Sequence, residues 1–218
     1  LTVPKIGSQN TGRGGSLYFT YSGSSPESIR LHVRRAEDIP VLDLSGWNAT
    51  TPADRTAIDA YIQELNAYMT AHPMGSPTTD WRNVTEIATP SVLLSLPAAA
   101  VSVGLKSGAD QLDNSVQAWE QIMSICRTVQ GITGTMETRQ NIRCMQMFTG
   151  AFMYAAGSHV GIGYNSCAGM VGGAPVRQLA DNAQANNLFG WGIAHEIGHN
   201  MDKLGKAEIT NNIYALAV

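Results

Sequence analysis

The chain has 218 residues, 44% of them hydrophobic, with a formal net charge of −3 and a pI near 5.9. That apolar share is enough to bury a core as one domain, or as a domain with a smaller satellite, and so weak an acidic balance offers nothing to attract nucleic acid or an anionic membrane surface. No apolar run reaches the roughly 20 residues that span a bilayer; the most apolar segment, 92–104, is shorter and contains Pro97.

The first fifty residues alternate strand-like runs with turns. Residues 16–21 and 29–34 have period-two character and flank the turn cluster SGSSPES, which makes 1–50 a β-rich portion ahead of the remaining 51–218. Asn48-Ala-Thr50 and Asn83-Val-Thr85 match the glycosylation acceptor pattern. A helix is expected from Pro52 to Ala71, with Thr51 as cap and Pro52 in its first position. Its apolar stripe is Ile58, Tyr61, Ile62, Leu65, Tyr68 and Met69. A loop at 72–80 precedes strands at 84–87 and 92–96, and a second helix from Asp110 to Val129 turns Leu112, Val116, Trp119, Ile122 and Cys126 inward. The cysteines (Cys126, Cys144 and Cys167) are odd in number and lack C-x-x-C spacing. They read as buried thiols in preference to a disulfide plus one free thiol, and not as zinc ligands. There is no internal repeat and no low-complexity segment. The element order is β-hairpin, helix, strands, helix, strand and two final helices, an α+β arrangement. With neither an initiator Met nor a signal peptide at its start, and a helical periodicity running to its end, the chain is expected to be incomplete at both ends.

Residues 190–199 read GWGIAHEIGH and contain H-E-x-x-H as His195, Glu196 and His199. On a helix, positions four apart stack on one face, so both imidazoles can converge on a single metal ion. Glu196, beside the first histidine, can take the proton of a water in the open coordination position, the pattern of a zinc metallopeptidase. Gly198 inside such a helix costs only about 1 kcal/mol. Three fixed positions in five arise by accident in roughly one unrelated chain of this length per hundred, and the bland alternative is an amphipathic helix bearing two surface histidines. The residues after His199 count against that alternative. The helix runs on through Asn200, Met201 and Asp202 to a stop at Gly205, and Glu208 appears nine residues after His199, at the start of a second apolar-periodic segment (Ile209, Ile213, Leu216). A carboxylate from that segment is a third protein ligand that leaves the fourth position for water. Asp202 is the competitor, disfavoured because a ligand from the same helix would crowd the open site.

The stretch resembles the enhancin-like, mucin-degrading metallopeptidases of the gluzincin clan. It carries their Gly-Trp-Gly lead-in (190–192), H-E-x-G-H-N (195–200) and a Glu-x-Thr-Asn-Asn context at Glu208 to Asn212. More weakly, GGSLYFTY (14–21), AEDIPVLDLS (36–45) and MFTGAFMYAAGSHVGIG (147–163) are similar to the family's earlier segments. The resemblance implies a zincin-like catalytic domain with a Zn²⁺ cofactor and peptide-bond hydrolysis by attack of water activated at the metal. It also implies O-glycosylated, mucin-type protein substrates, and secretion or display at a bacterial surface. Asn212 stands where thermolysin-like relatives have an aspartate supporting a zinc histidine, so it is expected to accept from an imidazole N–H without adding charge. The family's polar residue shortly after the second histidine is missing, the run here being Asn200, Met201 and Asp202. Zincins of this kind pair substrate with an exposed edge strand. The stretch from Gln146 to Tyr154 fits that part, with Tyr154 and His159 as substrate contacts, while Trp191 is read as stacking on a sugar ring or wedging the zinc helix. A metallopeptidase without a glycan requirement and a glycan- or protein-binding module with an inactive site are the alternatives. An intact Glu196 speaks against the second.

Overall fold

Strand alternation and helical periodicity resolve into six strands and seven helices in the computed structural model, which describes residues 37–48, 55–76, 80–105, 108–134, 138–157, 159–172 and 190–218. The strands are β1 (Val41–Asp43), β2 (Thr85–Ala88), β3 (Val92–Leu96), β4 (Gln140–Cys144), β5 (Met153–Ala155) and β6 (His159–Ile162). They form one mixed sheet in the order β1-β2-β3-β4-β6-β5. β2 and β3 make an antiparallel hairpin, β3, β4 and β6 run parallel, and β5 returns antiparallel on β6 with Tyr154 opposite Gly161. Among the described residues, β5 is therefore an edge strand. Alternation sends Val92, Leu94 and Leu96 of β3 into the core.

Helices α1 (Arg55–Ala71), α2 (Ala98–Gly104) and α3 (Ala109–Gln130) precede two single-turn helices, α4 (Tyr164–Cys167) and α5 (Gly169–Gly172). The chain ends in α6 (Gly190–Met201) and α7 (Asn211–Ala217). α3 is the central helix. Leu112, Val116, Trp119, Ile122, Met123 and Cys126 are all buried along it, and Trp119 Nε1 donates to the carbonyl of Met170 at 2.9 Å, which fastens α5 to it. A buried indole needs such a partner, because an unpaired N–H in the core forfeits its hydration. α3 also packs against α6 and α7, so the core reaches the underside of the H-E-x-x-H segment.

The α+β arrangement stands, with particular differences. The α1 stripe buries Ile58, Tyr61 and Leu65, while Ile62, Tyr68 and Met69 are only partly covered. The apolar segment 92–104 divides at Pro97 into strand β3 and helix α2. The expected strands at 16–21 and 29–34 and the Thr51–Pro52 cap lie outside the described residues. β1, β4 and β6 have no counterpart among the expected strands, and 145–152 is loop ahead of a three-residue edge strand. Asn83 is no glycan acceptor: it is 5% exposed, donates to Gly75 O at 2.9 Å and accepts from Ala99 N at 3.1 Å, bridging the chain before β2 to the start of α2. The thiols of Cys126 and Cys167 are buried and that of Cys144 is partly so. Burial pushes Cys126 up to about 12. No helix among the described residues is long and apolar enough to cross a membrane.

The close seating of α2 on α4 and α5 requires a glycine at its end. A β-carbon on Gly104 would stand 2.4 Å from Ala168 O and 2.6 Å from Val171 Cγ2, contacts that neither backbone can accommodate without moving. Gly104→Ala is expected to lower the unfolding free energy by roughly 1–3 kcal/mol, the usual cost of overpacking. Gly46→Ala, where nothing lies within 4 Å, should change it little. Urea denaturation of both variants checks the pair.

Candidate metal centre

α6 buries Ile193, Ala194, Ile197, Gly198 and Met201, which leaves His195, Glu196, His199 and Asn200 on the partly open face. The rings of His195 and His199 meet edge-on, with centroids 5.0 Å apart at 85°. Trp191, one turn earlier, stacks on the His195 ring at 5.5 Å and 21°, yet remains 56% exposed. It buttresses one imidazole and still offers aromatic surface to solvent.

Glu208 sits in the turn ahead of α7, with φ +63°, and not in the helix itself. For a non-glycine residue the left-handed region is uncommon and costs roughly 1–2 kcal/mol. That conformation aims the carboxylate back at α6: one oxygen is 3.3 Å from His195 Nε2 and the other 3.1 Å from His199 Nε2. A donor atom from each of His195, His199 and Glu208 can be chosen with all three within 4.8 Å of one another. Two imidazoles and one carboxylate, with solvent access on one side, fit a catalytic zinc ion and its open fourth position. Asp202 is turned elsewhere. Its carboxylate accepts from Leu204 N at 2.9 Å and from the Thr210 hydroxyl, which holds its pKa below the usual carboxylate range and ties off the chain between α6 and α7.

The carbonyl oxygen of Asn212 lies 2.7 Å from His195 Nδ1. An amide oxygen only accepts, so the proton stays on Nδ1 and the Nε2 lone pair faces Glu208. The Asn212 amide nitrogen donates to Glu208 O at 2.8 Å, which holds the left-handed turn in place. α7 comes this close because position 198 is glycine: a β-carbon there would be 2.7 Å from Asn211 O and 3.0 Å from Asn211 Cα. The same approach sets which face of α7 is covered. Asn211, Tyr214 and Ala215 are buried, whereas the expected apolar stripe of Ile209, Ile213 and Leu216 is 66%, 51% and 80% exposed. The periodicity gives the helix and points to the wrong face of it.

Glu196 is half-buried beside this cluster. Burial raises its carboxyl above the ordinary glutamate value, while His195, His199 and a hydrogen bond from the backbone of Ala155 in β5 pull it down less strongly. The cleft over these groups is lined by Phe148, Met153, Tyr154, Ala155, His195, Glu196, His199, Asn200 and Glu208. Tyr154 thus lines the cleft. His159 stands behind it, its Nε2 3.3 Å from the Tyr154 hydroxyl, with a pKa lowered by burial and then by Arg143. Asn200 and Asn211 are site residues to which sequence reasoning gives no role, whereas Phe148 and the start of β5 fall in the 146–154 stretch expected to meet substrate, without Phe148 or Ala155 being named for it. An exposed phenylalanine in a loop and asparagines on helices carry no periodic signal.

The family model described as "Peptidase M60, enhancin and enhancin-like" matches residues 77–218. Among solved structures, the chain is similar to the ZmpB metallopeptidase from Clostridium perfringens (TM-score 0.60, 21% identity, 84% of this chain and 33% of that one). It is also similar to the M60 catalytic domain of ZmpC from the same organism, solved in complex with the sialyl T antigen (TM-score 0.57, 22% identity, 83% and 32%). The catalytic module of the metalloprotease ZmpA, again from Clostridium perfringens, matches with TM-score 0.58 and 16% identity over 84% and 33%. At these identities the likeness is one of fold, and the chain spans about a third of the length of each relative. No curated protein sequence matches it.

Two substitutions probe the geometry directly. In chelator, Glu208→Gly should be more stable to unfolding than Glu208→Ala by about 1 kcal/mol, because only glycine adopts the left-handed conformation without penalty; equal stability would mean the turn carries no strain. Gly198→Ala should lower the thermal midpoint and also weaken divalent metal binding, read by chelator competition, as α7 is pushed off α6.

Proposed function

We propose that this chain, which belongs to the peptidase M60 family of enhancin and enhancin-like proteins, is the site-bearing part of a zinc-dependent endopeptidase acting on O-glycosylated, mucin-type proteins. The observation that carries the reading is the convergence of His195 Nε2, His199 Nε2 and both Glu208 oxygens beside the Glu196 carboxylate. When bound, zinc supplies Lewis acidity towards a peptide carbonyl and lowers the pKa of water. His195, His199 and Glu208 hold it. Glu196 receives the proton of the attacking water and returns it to the leaving amine, a double task suited to a carboxyl that burial raises above its ordinary value. The Ala155 contact steadies that carboxylate, and Asn212 keeps the His195 proton on Nδ1 so that Nε2 stays a ligand.

The substrate main chain lies along the exposed edge of β5, by strand addition to a strand that already borders the cleft. Phe148 and Trp191, 67% and 56% exposed, offer aromatic faces for a sugar ring, and Tyr154 lines the floor between strand and helix. His159 acts through Tyr154 and does not touch substrate. The glycan reading is supported by the sialyl T antigen bound to the ZmpC catalytic domain and by this aromatic setting. Such a substrate is met outside the cell or at its surface. Binding energy from the sugar then orients the scissile carbonyl and raises the rate.

The full-length protein is expected to bind one zinc per chain. Glu196→Gln should keep that zinc while lowering kcat/KM roughly 100- to 10,000-fold, the usual range for removing a general base. Loss of the metal, or full turnover, would contradict the role given to Glu196. One peptide prepared with and without its O-glycan decides the substrate class: cleavage should require the glycan, and equal cleavage of both forms would refute it.

A further inference from the structure

Asn211, the first residue of α7, is fully buried, and its position is not explained by packing alone. Its amide nitrogen lies 3.1 Å from His195 Nε2 and 2.9 Å from His199 Nε2, the same two atoms that Glu208 faces. Its carbonyl oxygen is buried with no hydrogen-bond partner among the described residues. Leaving a buried acceptor unpaired costs roughly 1–3 kcal/mol. Asn212 does not share this freedom, since its oxygen is engaged by His195 and its nitrogen by the backbone of Glu208.

We propose that the Asn211 carboxamide is a further group of the metal site, one that presents its oxygen from the buried side to the cation held by His195, His199 and Glu208 and leaves the position facing the cleft to water. The inference rests on the zinc reading above. A carboxamide has nearly the same shape in both orientations, and its terminal torsion is broad and roughly two-fold, so a half-turn exchanges oxygen for nitrogen without repacking. The NH₂ group can donate to the imidazoles only while their Nε2 lone pairs are free. Once those lone pairs are given to a cation, an N–H dipole in that place is repelled and a carbonyl dipole is attracted. The orientation is thereby coupled to the metal, and Asn211 differs from a helix asparagine kept for its volume.

Zinc affinity by chelator competition, and the visible spectrum of the Co²⁺-substituted protein, are to be measured on full-length wild type, Asn211→Leu and Asn211→Asp. Leucine matches the side chain in size but has no oxygen. It should weaken zinc binding about 10- to 100-fold, the range for groups that support metal ligands, and shift the Co²⁺ bands. Aspartate offers an oxygen in either orientation and should restore wild-type affinity or exceed it. Circular dichroism in chelator establishes that each variant is folded; should Asn211→Leu not fold, Asn211→Ala takes its place. The inference is overturned if the leucine or alanine variant binds zinc as tightly as wild type. It is equally overturned if aspartate binds as weakly as they do, for then the oxygen is not what the metal needs. Wild type that binds no zinc would refute the zinc reading itself and the inference with it.

Discussion

Helix α7 lies so close to α6 that the backbone of Asn211 fills the space a β-carbon on Gly198 would need. The rest of the site depends on that approach. It brings Asn212 within hydrogen-bond reach of His195 and places the Asn211 amide between two imidazole nitrogens, while Glu208 in the connection turns back through a left-handed conformation. A glycine in a helix interior sacrifices about 1 kcal/mol of helix propensity relative to alanine, and the left-handed glutamate adds a similar cost. Both penalties are borne where side chains of opposite electrostatic character converge. Local strain offset by surrounding structure is a common mark of functional sites.

The second support is the sheet. Among the described residues β5 is an edge strand three residues long, and the backbone of its Ala155 hydrogen-bonds Glu196. Glu196 is therefore held between a strand and its own helix while two imidazoles and a second carboxylate stand near it. Its pKa is a balance: burial and Glu208 favour the protonated form, the imidazoles and the Ala155 hydrogen bond favour the charged one, and burial is the largest of these. Such opposed influences on one carboxyl in a cleft are what a group placed for proton transfer would show.

Much of this is legible in the sequence because helical spacing is a strong constraint. His195 and His199 share a face whatever surrounds them, and the stripes of α1 and α3 can be read for the same reason, with Ile58, Leu65, Leu112 and Trp119 all buried. The short strands are harder. β1, β4 and β6 have three to five residues each, and whether such a run pairs depends on neighbours distant in the chain. α7 shows the limit most clearly. Ile213 and Leu216, with Ile209 in the turn before them, form one stripe and Asn211, Tyr214 and Ala215 the other, and hydrophobicity points to the first. The structure covers the second, where Asn211 packs on Gly198 and lies against both histidines, and Asn212 meets His195. A polar residue buried for a site leaves no hydrophobic trace.

The central claim is that this helix pair forms a zinc centre from two imidazoles and a carboxylate, with no part for the thiols of Cys126, Cys144 and Cys167. Zinc K-edge X-ray absorption on the zinc-loaded full-length protein tests it most directly. The expected spectrum has nitrogen and oxygen neighbours at about 2.0–2.2 Å, with the multiple scattering of two imidazole rings and no sulfur. A sulfur neighbour at about 2.3 Å, or a shell without imidazole scattering, would contradict it.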